Sequence, residues 1–289
     1  MERIWIGFDI GGTKILSAYT DGTRLQGVCR CPTPRSAQEL LDILTATAEK
    51  YCSLGVPCAG VGIGFAGAKL DSGALWAPNL PWLNDLNLER VLSCRLCAPV
   101  RCENDAHAAL RGEMWQGVLR EERCALLLSI GTGIGGAVLL DGNVLRGCHG
   151  VCGAAGWLRL RHEEPCRFEK LASGTALNAL AQARHFPDSQ ALCRACREGI
   201  APAQDAFRQW SDRLAQGIAS LASFLDIGTV VLSGGLSEQY DLFCAGVSEG
   251  ILRYASPLNR SLVLKKAALG ELSCLYGAVK LAIGQEKDF

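Results

Sequence analysis

Residues 4–14 read IWIGFDIGGTK, a short apolar run that ends in two consecutive glycines. A second apolar run, Ile15 to Tyr19, follows directly and ends at the turn dipeptide Asp21-Gly22. A third run, Leu25 to Cys31, stops at Pro32. Short apolar runs that are separated by glycine turns predict a β-meander.

The same order of features returns in the middle of the chain. Cys124 to Ile130 is apolar and leads into GTGIGG, Gly131 to Gly136, which we interpret as a second glycine turn. Ala137 to Leu140 and Val144-Leu145 are strand candidates on either side of the turn Asp141-Gly142. This repetition predicts two similar α/β domains, each beginning with a hairpin that grips phosphate.

The rest of the chain alternates between helical and strand spacing, which predicts the α/β class. The predicted helices are Ala37–Cys52, Asn87–Cys94, Ala106–Trp115, Gly174–Arg184, Ala203–Leu225, Glu238–Tyr254 and Glu271–Ile283. The further predicted strands are Cys58–Phe65, Pro99–Cys102, Thr229–Leu232 and Leu262–Leu264. We expect an N-terminal domain of residues 1–110, joined by the C-terminal helix 271–289, and a larger domain of residues 111–270, with a hinge near 105–117.

Composition excludes some classes of partner. In 289 residues, 49% are hydrophobic, and 29 Lys and Arg balance 29 Asp and Glu. A chain without positive excess has no overall attraction for nucleic acid or an anionic membrane, so we expect neither as a partner. No run of 18 apolar residues and no secretory pattern is visible, which favours the cytoplasm.

The fifteen cysteines are scattered and odd in number, which favours free thiols that pack as small apolar residues. Two CxxC pairs occur, Cys94/Cys97 and Cys193/Cys196, both in segments with helical spacing. A compact cluster raises the question of a metal: Cys148, His149, Cys152, His162 and Cys166. Neither set has the paired spacing of a zinc site, so we expect no structural zinc.

Three glycine turns stand at strand ends, where backbone N–H groups converge on an anion because no Cβ blocks its approach. The third, Ser233 to Leu236, precedes a helix whose N-terminus could accept a nucleotide. One such turn is explained more simply by tight-hairpin geometry, but three together favour nucleotide binding. The candidate cofactor-binding residues are Gly11, Gly12, Thr13, Lys14, Thr132, Gly133, Gly234 and Gly235.

Phosphoryl transfer to an alcohol also requires a carboxylate that orients and deprotonates the nucleophile, together with Mg²⁺. Asp105 is the candidate base, because it lies in ENDA at a predicted strand-to-helix junction. The alternative is that Asn104 or Asp105 only caps the following helix. Asp9, just before the first glycine turn, suits a water-mediated Mg²⁺ contact, or alternatively only an Asx-type turn.

Eight motifs occur in one order along most of the chain: DIGGTK (9–14), VGIGFAG (61–67), PNLP (78–81), ENDA (103–106), GTGIGG (131–136), GCHGVCGAAG (147–156), EKLASGTAL (169–177) and LSGG (232–235). Together they resemble the ROK family of sugar kinases. The resemblance implies an actin-like ATPase fold of the hexokinase/Hsp70 type, with two α/β domains around a cleft. It also implies ATP and Mg²⁺ as cofactors, a sugar substrate, a cytoplasmic setting and a homodimer.

Position by position, the resemblance gives Asp105 the role of catalytic base and Asn104 a contact to a sugar hydroxyl. It makes Gly67 and Asn79 further sugar contacts, and Glu169 the glutamate that closes the sugar pocket. The glycine turns match the family's phosphate and adenosine loops.

The chain departs from the family where such kinases usually read GEIGH. By glycine spacing, Ala154 replaces a sugar-binding glutamate, and Trp157 replaces a histidine that touches sugar and ligates zinc. Shape and ring stacking then replace polar selection, which predicts a substrate other than, or broader than, plain glucose. An N-acylated or otherwise substituted hexose fits this prediction. The alternative is that Trp157 only fills the core of its loop.

Three other functions are alternatives to the kinase at this stage, and the sequence argues against one of them, the regulator. The loss of the family Glu and His is compatible with a catalytically degenerate protein that only binds sugar or nucleotide. Family regulators carry a helix-turn-helix ahead of the kinase-like body, and the eight residues before Asp9 leave no room for one. An ATPase-type activator with an iron–sulfur cluster would use Cys148, Cys152 and Cys166.

Overall fold

A computed structural model describes residues 3–53 and 55–284. These residues form two compact units. The first comprises the described residues of Met1–Glu121, Asn143–Cys152 and Leu272–Phe289, and the second comprises Glu122–Gly142 and Gly153–Glu271. The domain boundary at residue 110 and the hinge at 105–117 stay predictions.

Strands and helices alternate along the described chain. The strands are β1 (Ile4–Ile10), β2 (Lys14–Thr20), β3 (Leu25–Pro32), β4 (Cys58–Phe65), β5 (Ala68–Lys69), β6 (Leu75–Trp76), β7 (Val100–Asn104), β8 (Ala125–Ile130), β9 (Ile134–Leu140), β10 (Asn143–Val144), β11 (Thr229–Ser233) and β12 (Val263–Lys266). The helices are α1 (Ala37–Cys52), α2 (Leu88–Leu96), α3 (Asp105–Gln116), α4 (Phe168–Ala172), α5 (Gly174–Gln182), α6 (Ser189–Arg197), α7 (Ala201–Leu225), α8 (Tyr240–Tyr254) and α9 (Ser273–Ile283).

The two units share one sheet topology. In the first, the order is β3-β2-β1-β4-β7, with antiparallel pairing of β1 to β2 and parallel pairing of β1 to β4 and of β4 to β7. In the second, β8 pairs antiparallel with β9, and β11 lies parallel between β8 and β12. The duplication predicted from the repeated meander is therefore confirmed.

The two faces of the first sheet differ in character because successive residues of a strand point to opposite sides. One face is apolar and packs against α1 and α2; its buried residues include Ile6, Phe8 and Ile63. The other face carries glycines, and Gly7 and Gly62 are direct partners on β1 and β4. This glycine face lets a helix approach the sheet backbone closely.

Helix α9 occupies the glycine face. A Cβ on Gly62 would collide with the carbonyl of Ala278, and one on Gly7 would collide with the side chain of Val279. Where α9 meets α3, a Cβ on Gly277 would collide with the carbonyl of Ala108. Gly62 of VGIGFAG is therefore needed for helix-to-sheet packing, in addition to any role at a ligand.

Three details correct the sequence prediction. Only Gly131 to Gly133 form the second turn, because Gly135 and Gly136 already pair with β8 inside β9. Helix α6 (Ser189–Arg197) was absent from the predicted elements, although its CxxC pair had been placed in a helical segment. The last helix before β12 begins at Tyr240, since Gly235–Gln239 form a 3-10 turn.

No helix in residues 3–53 and 55–284 combines the length and apolar character that crossing a membrane requires.

We predict that Gly277→Ala lowers the free energy of unfolding by about 2 kcal/mol or more, because the new methyl overpacks a backbone contact that cannot move aside. This loss exceeds the gain of about 1 kcal/mol that alanine brings to a helix. Urea denaturation measures the change. The matched control is Gly228→Ala, whose new Cβ meets no atom within 4 Å, and whose effect should stay below about 0.5 kcal/mol. Equal effects of the two substitutions would contradict the packing argument.

Candidate functional site

Asp105 is the first residue of α3, directly after β7, as the sequence predicted. Asn104 is the N-cap of this helix, and its Oδ1 accepts hydrogen bonds from Ala106 N and His107 N. Asp105 Oδ1 also accepts from Ala106 N, at 2.9 Å. Asn104 therefore caps the helix, and Asp105 is held in a fixed orientation at its positive end.

Asp105 has an unusual carboxyl. Its pKa is raised to about 7, first because burial removes hydration and second because the charge of Asp9 repels its own. The hydrogen bond from Ala106 N opposes the shift without cancelling it. Asp9 and Asp105 thus form an acidic pair in the first unit, and one member is poised to exchange a proton near neutral pH.

A cysteine that sequence reasoning did not select lies against this pair. Cys274 enters from α9 and is buried. Burial, followed by the charges of Asp9 and Asp105, raises the pKa of this thiol well above its usual value. No motif indicated this contact, because it depends on the packing of the last helix onto the first strands.

The predicted sugar contacts of the first unit lie on two segments. Asn104 Nδ2 donates to the Gly67 carbonyl at 2.9 Å, so these two predicted residues touch. A side chain at Gly67 would collide with the Trp76 carbonyl, which makes glycine obligatory there. Asn79 is exposed, in a loop that a hydrogen bond from Ala77 N to Asn84 Oδ1 stabilises.

The first glycine turn joins β1 and β2. Gly11 N donates to the Lys14 carbonyl at 3.0 Å, while Gly12 and Thr13 are exposed. Thr33, which sequence reasoning missed, follows β3 and supports the turn: its Oγ1 donates to the Gly11 carbonyl at 2.6 Å, and its N donates to the Thr13 carbonyl. Lys14 is the first residue of β2.

The second turn, between β8 and β9, is also closed by its first glycine, but over one residue fewer: Gly131 N donates to the Gly133 carbonyl at 3.0 Å. The start of α5 supports it. Gly174 N donates to the Gly131 carbonyl at 2.8 Å, and Thr175 Oγ1 donates to the Thr132 carbonyl at 2.8 Å. Thr175 was not selected from the sequence, although its motif SGTAL was.

The third turn brings Gly234 against β8. Its φ is +82°, and a Cβ would lie 2.6 Å from the Ile130 carbonyl, so only glycine fits. A cavity of about 530 Å³ opens between the second and third turns. It is lined by Gly131, Thr132, Gly174, Thr175, Asn178, Ser189, Gly235 and Leu236. Predicted cofactor residues from two separate motifs, Thr132 and Gly235, therefore share one cavity.

Glu169 and Trp157 lie beside the second turn. A Cβ on Gly133 would be 3.0 Å from Glu169 Oε2, and one on Gly156 would be 3.3 Å from it. The Trp157 ring is 62% exposed, and the Arg167 guanidinium stacks 4.1 Å from its centroid. The interpretation in which Trp157 fills the loop core is therefore wrong. Ala154 precedes the 3-10 turn Ala155–Trp157 and contributes no polar group there.

The cysteines are free thiols, as predicted. In the part of the chain that the structure describes, no three His, Cys, Asp or Glu side chains are grouped so that they could hold a metal ion. His107 instead bonds the Cys152 carbonyl through Nε2 at 2.7 Å, and Cys166 Sγ donates to Glu164 Oε1 at 2.8 Å. The expectation of no structural zinc stays a prediction.

The duplicated sheets and their glycine hairpins define an α/β protein of the actin-like ATPase class. The chain belongs to the ROK family, whose sequence model matches residues 5–285. It is 30% identical to a glucokinase of Streptomyces coelicolor, over 96% of each chain. It is also 30% identical to an N-acetyl-D-glucosamine kinase of Erwinia tasmaniensis, over 96% of this chain and 99% of that one.

A solved structure of a family member has a similar fold. The ROK family glucokinase from Streptomyces griseus, in complex with glucose and AMPPNP, matches with a TM-score of 0.82 and 28% identity, over 97% of this chain and 99% of that one. The resemblance stated from the motifs and the predicted fold class are both confirmed. The sugar-kinase relatives also support the general activity that the motifs implied.

We predict that Asp105→Asn stabilises the protein at pH 8 but not at pH 4. The folded pKa of Asp105, about 7, exceeds its ordinary value of 3.8. The fold therefore favours the protonated carboxyl, and wild type loses stability as pH rises through this window. A neutral amide avoids the loss, which is on the order of 4 kcal/mol.

Urea denaturation of both proteins at the two pH values measures this difference. Asp71→Asn, at an exposed position, is the control, and its free energy of unfolding should follow that of wild type at both pH values. A difference between Asp105→Asn and wild type that is the same at both pH values would contradict the assigned pKa.

Proposed function

We propose that this chain is an ATP-dependent kinase that phosphorylates a hydroxyl of a hexose or substituted hexose, with Asp105 as general base. The position of Asp105 carries the assignment of the base: at the start of α3 its carboxylate is oriented by Ala106 N beside Asp9, and burial there raises its pKa to about 7. A general base is most effective when its pKa lies near the working pH. The similarity to a glucokinase and to an N-acetyl-D-glucosamine kinase supports the substrate class.

In this proposal Asp105 accepts the proton of the attacking sugar hydroxyl. The hydrogen bond from Ala106 N holds the carboxylate in one orientation. Burial, and after it the charge of Asp9, keeps the proton affinity of Asp105 high. The two carboxylates therefore take separate roles that their environments impose.

The glycine turns fit a nucleotide with its metal. A Cβ built on Gly12, Gly131 or Gly235 would meet no atom within 4 Å, so these backbones face open space that a ligand can enter. Bound Mg²⁺ neutralises phosphate charge. Asp9, a hard oxygen donor, would hold it through water.

The remaining cofactor-binding residues divide between two tasks. We assign Gly11, Gly12, Thr13, Lys14, Thr132 and Gly133 to the phosphates, and Gly234 and Gly235 to the adenosine. The cavity that Thr132 and Gly235 line together supports their assignment to one nucleotide.

On the sugar side we assign Gly67, Asn79, Asn104, Glu169 and Trp157. The Asn104 side-chain oxygen accepts the helix-capping hydrogen bonds, and one of its N–H groups donates to the Gly67 carbonyl. Its second N–H is therefore the group that can bind a sugar hydroxyl. The exposed Trp157 ring, beside Ala154, favours shape and stacking over polar selection. We therefore propose a substituted hexose, such as an N-acylated one. We further propose a cytoplasmic homodimer.

A protein that binds sugar or nucleotide without catalysis is the second candidate, because Ala154 and Trp157 stand where the family usually has Glu and His. Such a protein would make every contact proposed above but would not turn over the sugar. Only a measurement of turnover separates the two candidates.

A coupled ADP-release assay over glucose, mannose, N-acetylglucosamine and N-acetylmannosamine, with and without Mg²⁺, tests the kinase. We expect Mg²⁺-dependent turnover with at least one of these sugars, and higher kcat/KM for the N-acylated ones. Asp105→Asn should lower kcat by about 10²- to 10⁴-fold, while Asp71→Asn leaves it unchanged. Sugar binding without turnover in wild type would favour the second candidate, and an active Asp105→Asn would remove the assigned base.

A further inference from the structure

The first unit includes a short loop from the middle of the chain, residues 146–152. The loop closes on itself, because Cys152 N donates to the Arg146 carbonyl at 3.0 Å. Gly147 and Gly150 have φ values of +70° and +69°, in the region that favours glycine. A glycine-containing backbone has much conformational freedom to lose, so contacts from outside the loop must hold it in place.

Helix α3 supplies such a contact through His107. This residue is only 1% exposed, and its Nε2 lies 2.7 Å from the Cys152 carbonyl. A carbonyl oxygen can only accept a hydrogen bond, so Nε2 carries the proton and donates it. The loop has a second contact at β5, where a Cβ on Gly150 would lie 3.6 Å from the Lys69 carbonyl. The loop is therefore attached to the first unit at two points.

The backbone of His107 contacts one of the proposed sugar-binding residues. His107 N donates to Asn104 Oδ1 at 3.3 Å, and Asn104 Nδ2 donates to the Gly67 carbonyl at 2.9 Å. Gly67 directly precedes β5, the strand that Gly150 contacts. A closed path of contacts thus runs from Gly67 through Asn104 and His107 to the loop, and from the loop back to β5.

We propose that His107 is a positioning residue, whose ring holds the 146–152 loop beside the sugar contacts Gly67 and Asn104 and thereby sets the affinity for the sugar. The inference rests on the proposed function, since Gly67 and Asn104 are assigned there to the sugar. The ring acts through the loop backbone and does not touch the reacting atoms. The first phosphate turn is supported separately, by Thr33, so nucleotide affinity should not depend on His107.

Two substitutions separate the hydrogen bond from the volume of the ring. His107→Leu fills much of the same space without a donor, whereas His107→Gln keeps an N–H donor at a similar distance from the backbone. The matched control is His162→Leu, because this histidine is exposed and lies outside both the loop and α3. A donor role predicts that glutamine, but not leucine, replaces histidine.

Isothermal titration with glucose, mannose, N-acetylglucosamine and N-acetylmannosamine, and separately with Mg·AMPPNP, measures dissociation constants without turnover. For the sugars that wild type binds, we expect His107→Leu to weaken binding about 3- to 10-fold, as for the loss of one hydrogen bond. The affinity for Mg·AMPPNP should not change. The KM for sugar should rise by the same factor, while kcat changes less than about twofold. His107→Gln should restore most of the sugar affinity, and His162→Leu should bind like wild type.

Hydrogen exchange of the Cys152 amide tests the loop itself without any ligand. This amide bonds the Arg146 carbonyl within the loop, so its exchange reports how often the loop opens. Exchange should become about 3- to 10-fold faster in His107→Leu. It should return toward the wild-type rate in His107→Gln, while the amides of α9 keep their rates in both variants.

The outcomes distinguish the role of His107 from the proposed function. Wild type that neither binds nor phosphorylates any of the four sugars would remove the proposed function, and this role with it. Wild type that binds sugar, together with His107→Leu of equal affinity, would overturn only the role of His107. Equal weakening in the leucine and glutamine variants, or equal weakening of sugar and Mg·AMPPNP binding, would also overturn it, because the effect would then come from packing. Urea denaturation of every variant verifies that the protein titrated is folded.

Discussion

Burial of the Asp105 carboxyl beside a second carboxylate, Asp9, is the constraint on which the candidate site depends. Two carboxylates with reduced hydration do not stay close unless the backbone fixes both of them. Asp9 is fixed because β1 pairs on both sides, with β2 and with β4. Asp105 is fixed because Asn104 caps α3 directly after β7. The result is a carboxyl whose pKa is about 7, which is the property a general base needs.

The two units have the same sheet topology, but they differ at one position beside the hairpin turn, and this position carries the acidic residue. Both units present a hairpin turn in which the first glycine N–H bonds a carbonyl further along the turn. Two residues before that glycine the first unit has Asp9, whereas the second has Ser129. The acidic function therefore lies in the first unit, and the second turn contributes backbone groups and the Thr132 hydroxyl to its cavity.

The sequence predicted those structural features that depend on residues close to one another along the chain. The strands of the first meander, the strand-to-helix junction at Asp105 and the duplication all follow from local alternation and turn residues. The extent of the second turn was misjudged, because Gly135 and Gly136 pair with β8 in spite of their turn propensity. Cys274 could not be found, because its contact with Asp9 requires α9 to pack on β1 and β4. The exposure of Trp157 depends on its loop as a whole, and no periodicity encodes it.

The most direct test of the acidic pair is a carbon-13 NMR titration of the aspartate carboxyl groups, with the Asp105 signal assigned by its absence in Asp105→Asn. The account predicts that Asp105 titrates near pH 7 in wild type. In Asp9→Asn the like charge is gone, so the midpoint should fall toward the ordinary range, with only the contribution of burial remaining. A wild-type midpoint near 4, or one that Asp9→Asn leaves in place, would contradict the account.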